Sequence, residues 1–214
     1  MIQAAPQILV KDKWIPDALR FRIRGWSPQS HLGKIIKECF RYLPAEQVAA
    51  LLDAITSVVV IESSLALTVI CAGGRREPLG VVSRRVVTNN GVAYIVDGFQ
   101  NLVELENMKY HGLGTGTNAE SQADSALQSE LTTQYNPNNT RATGTTEEGS
   151  SANIYKTVAT NTLDEAAAVT EHGIFSQAAT GGGVLLDRSV FSVVNLAAGD
   201  GLQSTYQWTA NAGG

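Results

Sequence analysis

The side chains with the greatest capacity for chemistry in this sequence are three histidines, His31, His111 and His172. None of them stands at the spacing from a second His, Cys or carboxylate that metal motifs such as HExxH or CxxC require. His111 and His172 each precede a glycine in a segment that reads as a strand. We therefore predict two strand-end histidines bonded to backbone groups, no metal site and no cofactor.

Other reactive residue types lack the arrangement that catalysis needs. The stretch GLGTGT (Gly112–Thr117) matches neither GxGxxG nor GxxxxGK[ST], so a tight turn or bulge is favoured over a phosphate-binding loop. No GxSxG motif occurs, and Cys39 falls on the apolar side of a predicted helix, where a thiol is inert. Asp187 and Arg188 interrupt an apolar strand and predict a local ion pair at an interface or rim. These observations favour a protein without enzymatic activity.

Charge is distributed unevenly along the 214 residues, whose net charge is −4. Residues 1–88 hold 12 Lys and Arg against 7 Asp and Glu, whereas residues 89–214 hold 4 against 13. The basic residues are scattered rather than clustered, which disfavours nucleic acid as a partner. A basic segment attached to an acidic body favours docking on an acidic protein surface.

The cysteines and the apolar segments bear on compartment. Cys39 and Cys71 occur in dissimilar contexts, so no disulfide is predicted and a reducing compartment is favoured. The N-terminal residues lack the basic-then-apolar pattern of a secretory signal. The apolar stretch Ala54–Ala72 is interrupted by Glu62 and is interpreted as strand rather than as a membrane span. No membrane partner is predicted.

Residues 1–30 are predicted to form an extended basic N-terminal arm. Within the arm, LRFRIRGW (Leu19–Trp26) alternates apolar and basic side chains, which is the period of a half-buried strand. Such a strand can add to the exposed edge of a sheet in another molecule. The arm residues predicted to contact a partner are Trp14, Arg20, Arg22, Arg24 and Trp26.

Residues 31–87 are predicted to contain two short helices followed by strands. Ser30 can cap a helix over HLGKIIKECFRYL, and Pro44 can begin a second short helix, PAEQVAALLDAI. The β-branched run SVVVIESSLALTVICAGG then predicts a strand. RREPLG predicts a polar, turn-prone break before VVSRRVVT.

Residues 88–214 are predicted to form a β-sandwich domain with helices. A helix with regularly spaced apolar residues begins at Thr88 or Asn89 and runs through Met108. A strand at MKYHGLGTGT leads to a short surface helix (Ala119–Leu131). Residues 132–151 are predicted to form a long exposed polar loop, or a strand edged by one, and to contribute nothing to the core. Four strands follow, the last three joined by AATGGG and AAGDG turns: ANIYKTVATNTL, AAAVTEHGIFS, VLLDRSVFSVVNL and LQSTYQWTAN. The predicted fold class is mainly β with some helix (α+β), an antiparallel β-sandwich C-terminal domain preceded by an extended arm and short helices.

Roughly residues 80–214 resemble the virion structural proteins of tailed bacteriophages. The most specific segments are KYHGLGTGT, NPNNTRATGT and TEHGIFSQAATGGGVLLDRSVFSVVNL. In that family the module occurs in capsid cement (decoration) proteins and in tail or tail-fibre components. The resemblance implies a part of the virion and carries over no catalytic or binding residue. Residues 1–79 have no counterpart in it.

The first hypothesis is a capsid cement protein that binds the outer surface of the icosahedral shell. It would bridge neighbouring major capsid protein subunits and stabilise the DNA-filled head. Its partners would be the major capsid protein and further copies of itself in a symmetric homo-oligomer, because many weak contacts in one assembly give high avidity. The expected location is the capsid surface of the virion, after assembly in the host cytoplasm.

Two alternatives remain open from the sequence. A tail, neck or tail-fibre component could use the same sandwich as an adaptor, although the chain contains no long repetitive fibrous segment. A soluble sugar-binding or hydrolytic module would need clustered exposed aromatic residues or paired carboxylates around a groove. Trp14, Trp26 and Trp208 are far apart in the sequence and give no such signal.

Overall fold

The computed structural model describes residues 9–10, 13–14, 60–84 and 86–211. The chain divides into two compact units, one made of Met1–Val60 with Ala212–Gly214 and the other of Ile61–Asn211. In the first unit, strands β1 (Leu9–Val10) and β2 (Lys13–Trp14) form an antiparallel pair. The predicted strand at 19–26 and the two helices predicted between residues 31 and 55 lie outside the described residues.

The second unit is mostly strand, so the prediction of a predominantly β fold is confirmed. Its strands are β3 (Val60–Ile70), β4 (Arg76–Ser83), β5 (Val86–Val87), β6 (Tyr110–Gly114), β7 (Tyr135–Asn136), β8 (Ala142–Thr143), β9 (Thr145–Glu148), β10 (Ile154–Leu163), β11 (Ala167–Phe175), β12 (Leu185–Leu196) and β13 (Gly201–Asn211). They form two antiparallel sheets. Sheet 1 has the order β4-β3-β13-β10-β7, with β9 also paired to β10. Sheet 2 has the order β5-β12-β11-β6-β8.

Alternating burial in the strands follows from the period-two geometry of the extended chain. In β10, Thr157, Ala159, Asn161 and Leu163 are buried, and the residues between them are half-buried. This strand pairs with β13 over nine positions from Ile154 to Thr162. The predicted strand at ANIYKTVATNTL is therefore confirmed.

One hydrophobic core receives side chains from both sheets. From sheet 1 come buried residues of β3, β10, β13 and β7, namely Leu65, Leu67, Val69, Leu163, Leu202 and Tyr135. From sheet 2 come buried residues of β6, β11 and β12, namely Leu113, Val169, Phe191, Val194 and Leu196. Removing this much apolar surface from water is the main favourable term for the fold.

The predicted turn at AATGGG is confirmed as the connection between β11 and β12, which form a long hairpin in sheet 2. Gly181 and Gly183 have φ values of 73° and 80°, a left-handed conformation that favours glycine. The AAGDG turn, in contrast, passes from sheet 2 to sheet 1, because it joins β12 to β13. Its Asp200 carboxylate accepts the backbone N–H groups of Ala197 and Ala72, both at 2.9 Å.

Helix α1 (Asn89–Phe99) begins where the sequence predicts but ends earlier. Thr88 is its N-cap, because its Oγ1 accepts the Gly91 N–H at 2.9 Å. The helix does not run through Met108, and a separate 3₁₀ turn covers Leu105–Asn107. Asn101 has a φ of 59°, and a left-handed residue just after the last turn ends a helix.

Two other predictions are wrong in this unit. Residues 119–131 form turns and one isolated bridge rather than a helix, and the Leu131 N–H donates to Leu113 of β6. RREPLG is not a break, because β4 already begins at Arg76 and the turn lies just before it. β3, β4 and β5 belong to the two sheets of this unit, which begins at Ile61.

The polar segment at residues 132–151 contributes a buried side chain to the hydrophobic core, which the sequence did not predict. It supplies strands β7, β8 and β9. Tyr135 is 1% exposed, and its hydroxyl accepts the Leu113 N–H at 2.6 Å while donating to the Leu113 carbonyl at 3.0 Å. Its phenol ring fills the core and its hydroxyl satisfies a backbone group, which is how tyrosine is usually buried.

Candidate functional site

His111 and His172, predicted to be strand-end residues bonded to backbone, bind each other instead. They lie in the paired strands β6 and β11, and neither is exposed. His111 Nδ1 is 3.0 Å from His172 Nε2, and the two rings meet edge to face. His111 Nε2 is 3.2 Å from Thr157 Oγ1 of β10, so the contact extends from sheet 2 to sheet 1.

Burial keeps this histidine pair neutral. Desolvation lowers the pKa of His172 to about 3, and it lowers the pKa of His111 well below its usual range, helped by the neighbouring His172. A neutral imidazole offers one donor and one acceptor nitrogen, which suits a pair in which one ring donates to the other. Within the described residues, His172 Nδ1 has no hydrogen-bond partner, and no group of three or more His, Cys, Asp or Glu is placed to hold a metal ion.

Asp187 and Arg188 do not form the local ion pair at a rim that the sequence predicts. Both are buried, and as neighbours on β12 they point to opposite faces of sheet 2. The Asp187 carboxylate accepts the Ser189 hydroxyl at 3.2 Å and the Tyr206 hydroxyl at 3.5 Å. Burial raises the pKa of Asp187 to about 7, although hydrogen bonds from Ser63, Ser189 and Tyr206 oppose this shift.

Arg188 instead belongs to a buried ionic network centred on Glu171. Arg188 Nε and Nη2 lie 2.9 and 2.8 Å from Glu171 Oε2, and Arg188 Nη1 lies 3.0 Å from Asp124 Oδ2. The Glu171 carboxylate also accepts the backbone N–H groups of Gly116, Gln128 and Ser129, at 2.9, 3.0 and 2.7 Å. A carboxylate with this many donors is well satisfied, so the network holds the segment 116–129 against sheet 2.

The glycines of GLGTGT allow this network to form. A Cβ at Gly114 or at Gly116 would lie 2.5 Å from Glu171 Oε1, closer than real contacts permit. Gly112 and Gly114 lie within β6, and Gly116 lies in the loop that follows it. These glycines permit a carboxylate to approach the backbone closely, which is a structural role.

A second buried ionic cluster joins the polar segment 130–141 to the β11–β12 hairpin. Arg141 is 2% exposed, and its Nε and Nη2 lie 2.5 and 2.9 Å from the two oxygens of Glu130. Arg141 Nη1 donates to two carbonyls beside the glycine turn, those of Gln177 and Gly182, at 3.0 and 2.8 Å. The guanidinium also lies 3.5 Å from the centre of the Phe175 ring, a cation–π contact.

On another part of the second unit, apolar side chains face solvent. We call the exposed residues of α1 and the segment after it the helix surface: Val92, Val96, Phe99, Leu102 and Leu105. Phe99 is 82% exposed and Leu102 is 68% exposed. The sequence predicts a helix with an apolar face, and Tyr94 and Ile95 of α1 pack in a core cluster, but Gly91 and Tyr94 are the only buried residues of this helix. Contiguous exposed apolar residues mark interaction sites far more often than isolated ones do.

Beside the helix surface lies a cleft of about 230 Å³, which we call the helix cleft. Residues of α1 and of both sheets line it: Ile95, Phe99, Leu105, Met108, Tyr155, Leu186 and Trp208. The Tyr155 hydroxyl donates to the Met108 carbonyl at 2.7 Å, and burial raises the pKa of Tyr155 to about 12. Its polar atom is therefore already occupied, and the cleft offers an almost wholly apolar wall.

The charged residues of α1 and the segment after it, up to position 107, all have one sign. Residues 89–107 contain Asp97, Glu104 and Glu106 and no Lys or Arg, and the nearest basic residue along the chain is Lys109. Glu104 and Glu106 are exposed and Asp97 is half-buried. The helix cleft is thus an apolar depression beside carboxylates.

The five residues predicted to contact a partner all belong to the N-terminal part of the chain. Trp14 lies in β2 of the first unit, whereas Arg20, Arg22, Arg24 and Trp26 lie outside the described residues. The histidine pair and the Glu171 network were missed because their members are distant in sequence. The register of the strands could have predicted the histidine pair. When His172 of β11 pairs with Leu113 of β6, His111 lies two residues along β6 on the same face of the sheet, within reach of His172.

Among the described residues, no helix is long and apolar enough to cross a membrane. Comparison with known proteins adds no assignment: no family model, no curated protein and no solved structure matches this chain.

Proposed function

We propose that this chain is a structural protein of a tailed-bacteriophage virion, a capsid cement (decoration) protein that binds the outer surface of the shell. It bridges neighbouring major capsid protein subunits, acts as a symmetric homo-oligomer and has no catalytic role. Its location in this proposal is the capsid surface, after assembly in the host cytoplasm. The resemblance of residues 80–214 to that family motivates the proposal.

The observation that carries this function is an exposed apolar surface on a body tied together by buried ion pairs. Phe99, the last residue of α1, and Leu102, which follows the helix, are mostly exposed to solvent. The start of α1 is fixed to β12, since the Thr88 hydroxyl donates to the Leu185 carbonyl at 2.5 Å. A rigid body that presents apolar residues loses little conformational freedom when it binds. This combination suits a protein whose task is to hold other subunits in place.

The two sheets support the finer part of the proposal, a β-sandwich. Side chains from both sheets contribute to one core, and Thr157 of sheet 1 contacts His111 of sheet 2. Packed antiparallel sheets joined in this way are the architecture that the family resemblance implies. In the proposal, the N-terminal arm (residues 1–30) docks the sandwich onto the shell or onto a neighbouring copy.

Copy number in purified virions tests the proposal directly. Quantitative mass spectrometry against the major capsid protein should give a ratio near one to one, that is hundreds of copies, because a cement protein follows the symmetry of the shell. On the order of three to eighteen copies would instead place the chain in the tail or neck and overturn the cement function. Absence from virions would overturn both versions.

Deletion of residues 1–30 tests the role of the arm. The truncated protein should keep the unfolding transition of the β-rich unit but should not enter particles. Normal incorporation of the truncated protein would contradict a docking role for Arg20, Arg22 and Arg24.

A further inference from the structure

The helix cleft has the shape of a pocket for a single anchor. Its volume of about 230 Å³ is larger than that of an apolar cavity of ~150 Å³ that holds a benzene ring, so it has room for one large side chain. Water in this cleft meets the side chains of Phe99, Leu105 and Leu186 and finds few hydrogen-bond partners. Replacing it with an apolar group is favourable.

The surroundings of the cleft set the charge of its occupant. Glu104 and Glu106 are exposed on the 3₁₀ turn and its approach, and Asp97 lies on α1 between the exposed residues Val96 and Phe99. Residues 89–107 contain no Lys or Arg, and the three carboxylates outnumber Lys109, the nearest basic residue along the chain. Positive groups on an approaching segment would be attracted, and negative groups would be repelled.

The same charges argue against a symmetric contact between two copies through this surface. A second copy would bring its own Asp97, Glu104 and Glu106 to the same contact, and like charges held together at an interface are costly. The occupant that fits is therefore a different surface, apolar at its centre and basic at its edges.

We propose that the helix cleft binds a segment of a partner protein that inserts one large apolar side chain and carries Arg or Lys on either side of it. The inference rests on the proposed function and deepens it, because it states the chemistry of the shell segment to which the cement protein attaches. Phe99 and Leu105 contact the anchor, and Glu104 and Glu106 attract the basic flanks. Aromatic and aliphatic anchors in such pockets carry most of the affinity of an interface.

A labelled synthetic peptide tests this proposal with the full chain. The probe is a six-residue peptide with Leu-Trp at its centre and Arg on both sides, followed by fluorescence anisotropy. We expect a dissociation constant below about 1 mM, since a single-anchor contact is weak. A peptide with Glu in place of Arg should bind at least about tenfold more weakly, because it meets acidic residues.

Variants of the protein assign the binding to the cleft. Phe99→Ser and Leu105→Ser should each weaken peptide binding at least about tenfold, and Glu104→Lys should weaken it about fivefold. The matched control is Val193→Ser, which changes another exposed apolar residue, 54% exposed and lying on β12 well beyond Leu186. The control should change binding less than about twofold.

Several outcomes would overturn the proposal. They are no binding of the basic peptide, equal binding of the acidic peptide, and binding that Phe99→Ser leaves intact. A wild-type dimer that Phe99→Ser converts to monomer, without peptide binding, would also overturn it and identify the surface as a contact between copies. Failure of the two proposals can be told apart, because virion copy number is measured without any cleft variant and peptide binding is measured without virions.

Discussion

Two regions of the β-rich unit reverse the usual relation between residue type and burial. The segment from Gly116 to Arg141 is rich in polar residues, yet it is fixed by buried charges, with Arg141 only 2% exposed. The helix surface is rich in apolar residues, yet Phe99 is 82% exposed. The first region is held by contacts within the molecule, whereas the second is exposed to solvent.

The difference between these regions lies in their partners rather than in their composition. The buried charges that fix the polar segment meet an opposite charge or a backbone group, as Glu171 meets Arg188, so their burial costs little net free energy. Phe99 and Leu102 instead leave most of their side-chain surface in contact with water. The polar segment is therefore held by buried tertiary contacts, whereas the apolar helix surface remains exposed.

The largest expected effect is the loss of the Glu171 network. Glu171→Gln removes the charge that faces Arg188 and acceptor sites for backbone N–H groups. Because the buried guanidinium loses its most deeply buried counter-ion, we expect a loss of about 3–5 kcal/mol in the free energy of unfolding. Urea denaturation at neutral pH measures it.

Glu147→Gln is the matched control for that substitution. Glu147 pairs with Lys156 at 2.8 Å, but both side chains are partly exposed to solvent. An exposed pair contributes about 0–1 kcal/mol, so the control should lower the free energy of unfolding by no more than that. Equal losses for Glu171→Gln and Glu147→Gln would refute the idea that burial makes the first pair special.

A smaller effect is expected from Arg141→Lys. Lysine keeps the positive charge but cannot reproduce the forked hydrogen bonds to Glu130, nor those to the Gln177 and Gly182 carbonyls. We expect a loss of about 2–3 kcal/mol. Hydrogen exchange should also accelerate at Gly181, whose N–H donates to Glu130. Unchanged exchange at Gly181 would show that the cluster does not hold the glycine turn.

The buried groups that face the interior also predict a dependence on pH. Burial raises the pKa of Asp187 from 3.8, its value in an unfolded chain, to about 7 in the folded protein. The protonated carboxyl group therefore contributes fully to stability below pH 3.8, and this contribution is lost as the pH rises through 7. The lowered pKa values of His111 and His172 act in the opposite direction. Their contribution is complete above 6.5 and is lost as the pH falls towards their folded-state pKa values.

Between about pH 4.5 and 6, the unfolded chain binds protons on two histidines and the folded chain binds one on Asp187. The two histidines outnumber the one carboxyl group, so these three groups make stability rise with pH in this range. Asp187→Asn should steepen that rise because it removes the opposing group, and His172→Gln should flatten it. Urea denaturation across this range measures the slope, and a slope unchanged in Asp187→Asn would contradict the assignment.

The smallest effect on stability is expected at the helix surface. Phe99→Ser removes a side chain that is mostly in water, so the free energy of unfolding should change by less than about 0.5 kcal/mol. Thermal unfolding of the variant measures this change. A loss above about 2 kcal/mol, as for a buried phenylalanine, would mean that Phe99 packs on its own molecule and is not free to bind a partner.

Local signals predicted the regular elements well. β10, β11, β12 and β13 follow from runs of β-branched and alternating residues, and the start of α1 follows from the capping Thr88. Turn chemistry at the three glycines of AATGGG correctly joined β11 to β12. Each of these features is decided by residues close together in the sequence.

Features decided by distant residues were not predictable. Residues 119–131 have helical composition, but Glu171 binds the backbone N–H groups of Gln128 and Ser129 from more than forty positions away. The burial of Arg141 likewise depends on Glu130 and on carbonyls of the hairpin turn. Such tertiary contacts override local propensity, and no pattern within one segment reveals them.

The position of β13 has a consequence for synthesis of the protein on the ribosome. It is the last strand along the described chain, yet in sheet 1 it lies between β3 and β10. Until Gly201–Asn211 has emerged, β3 and β10 each present an unpaired edge. A nascent chain that terminates before Gly201 therefore lacks β13, which is the central strand of sheet 1 and not an edge strand. We expect such fragments to expose strand edges and apolar surface, and therefore to be degraded or to aggregate.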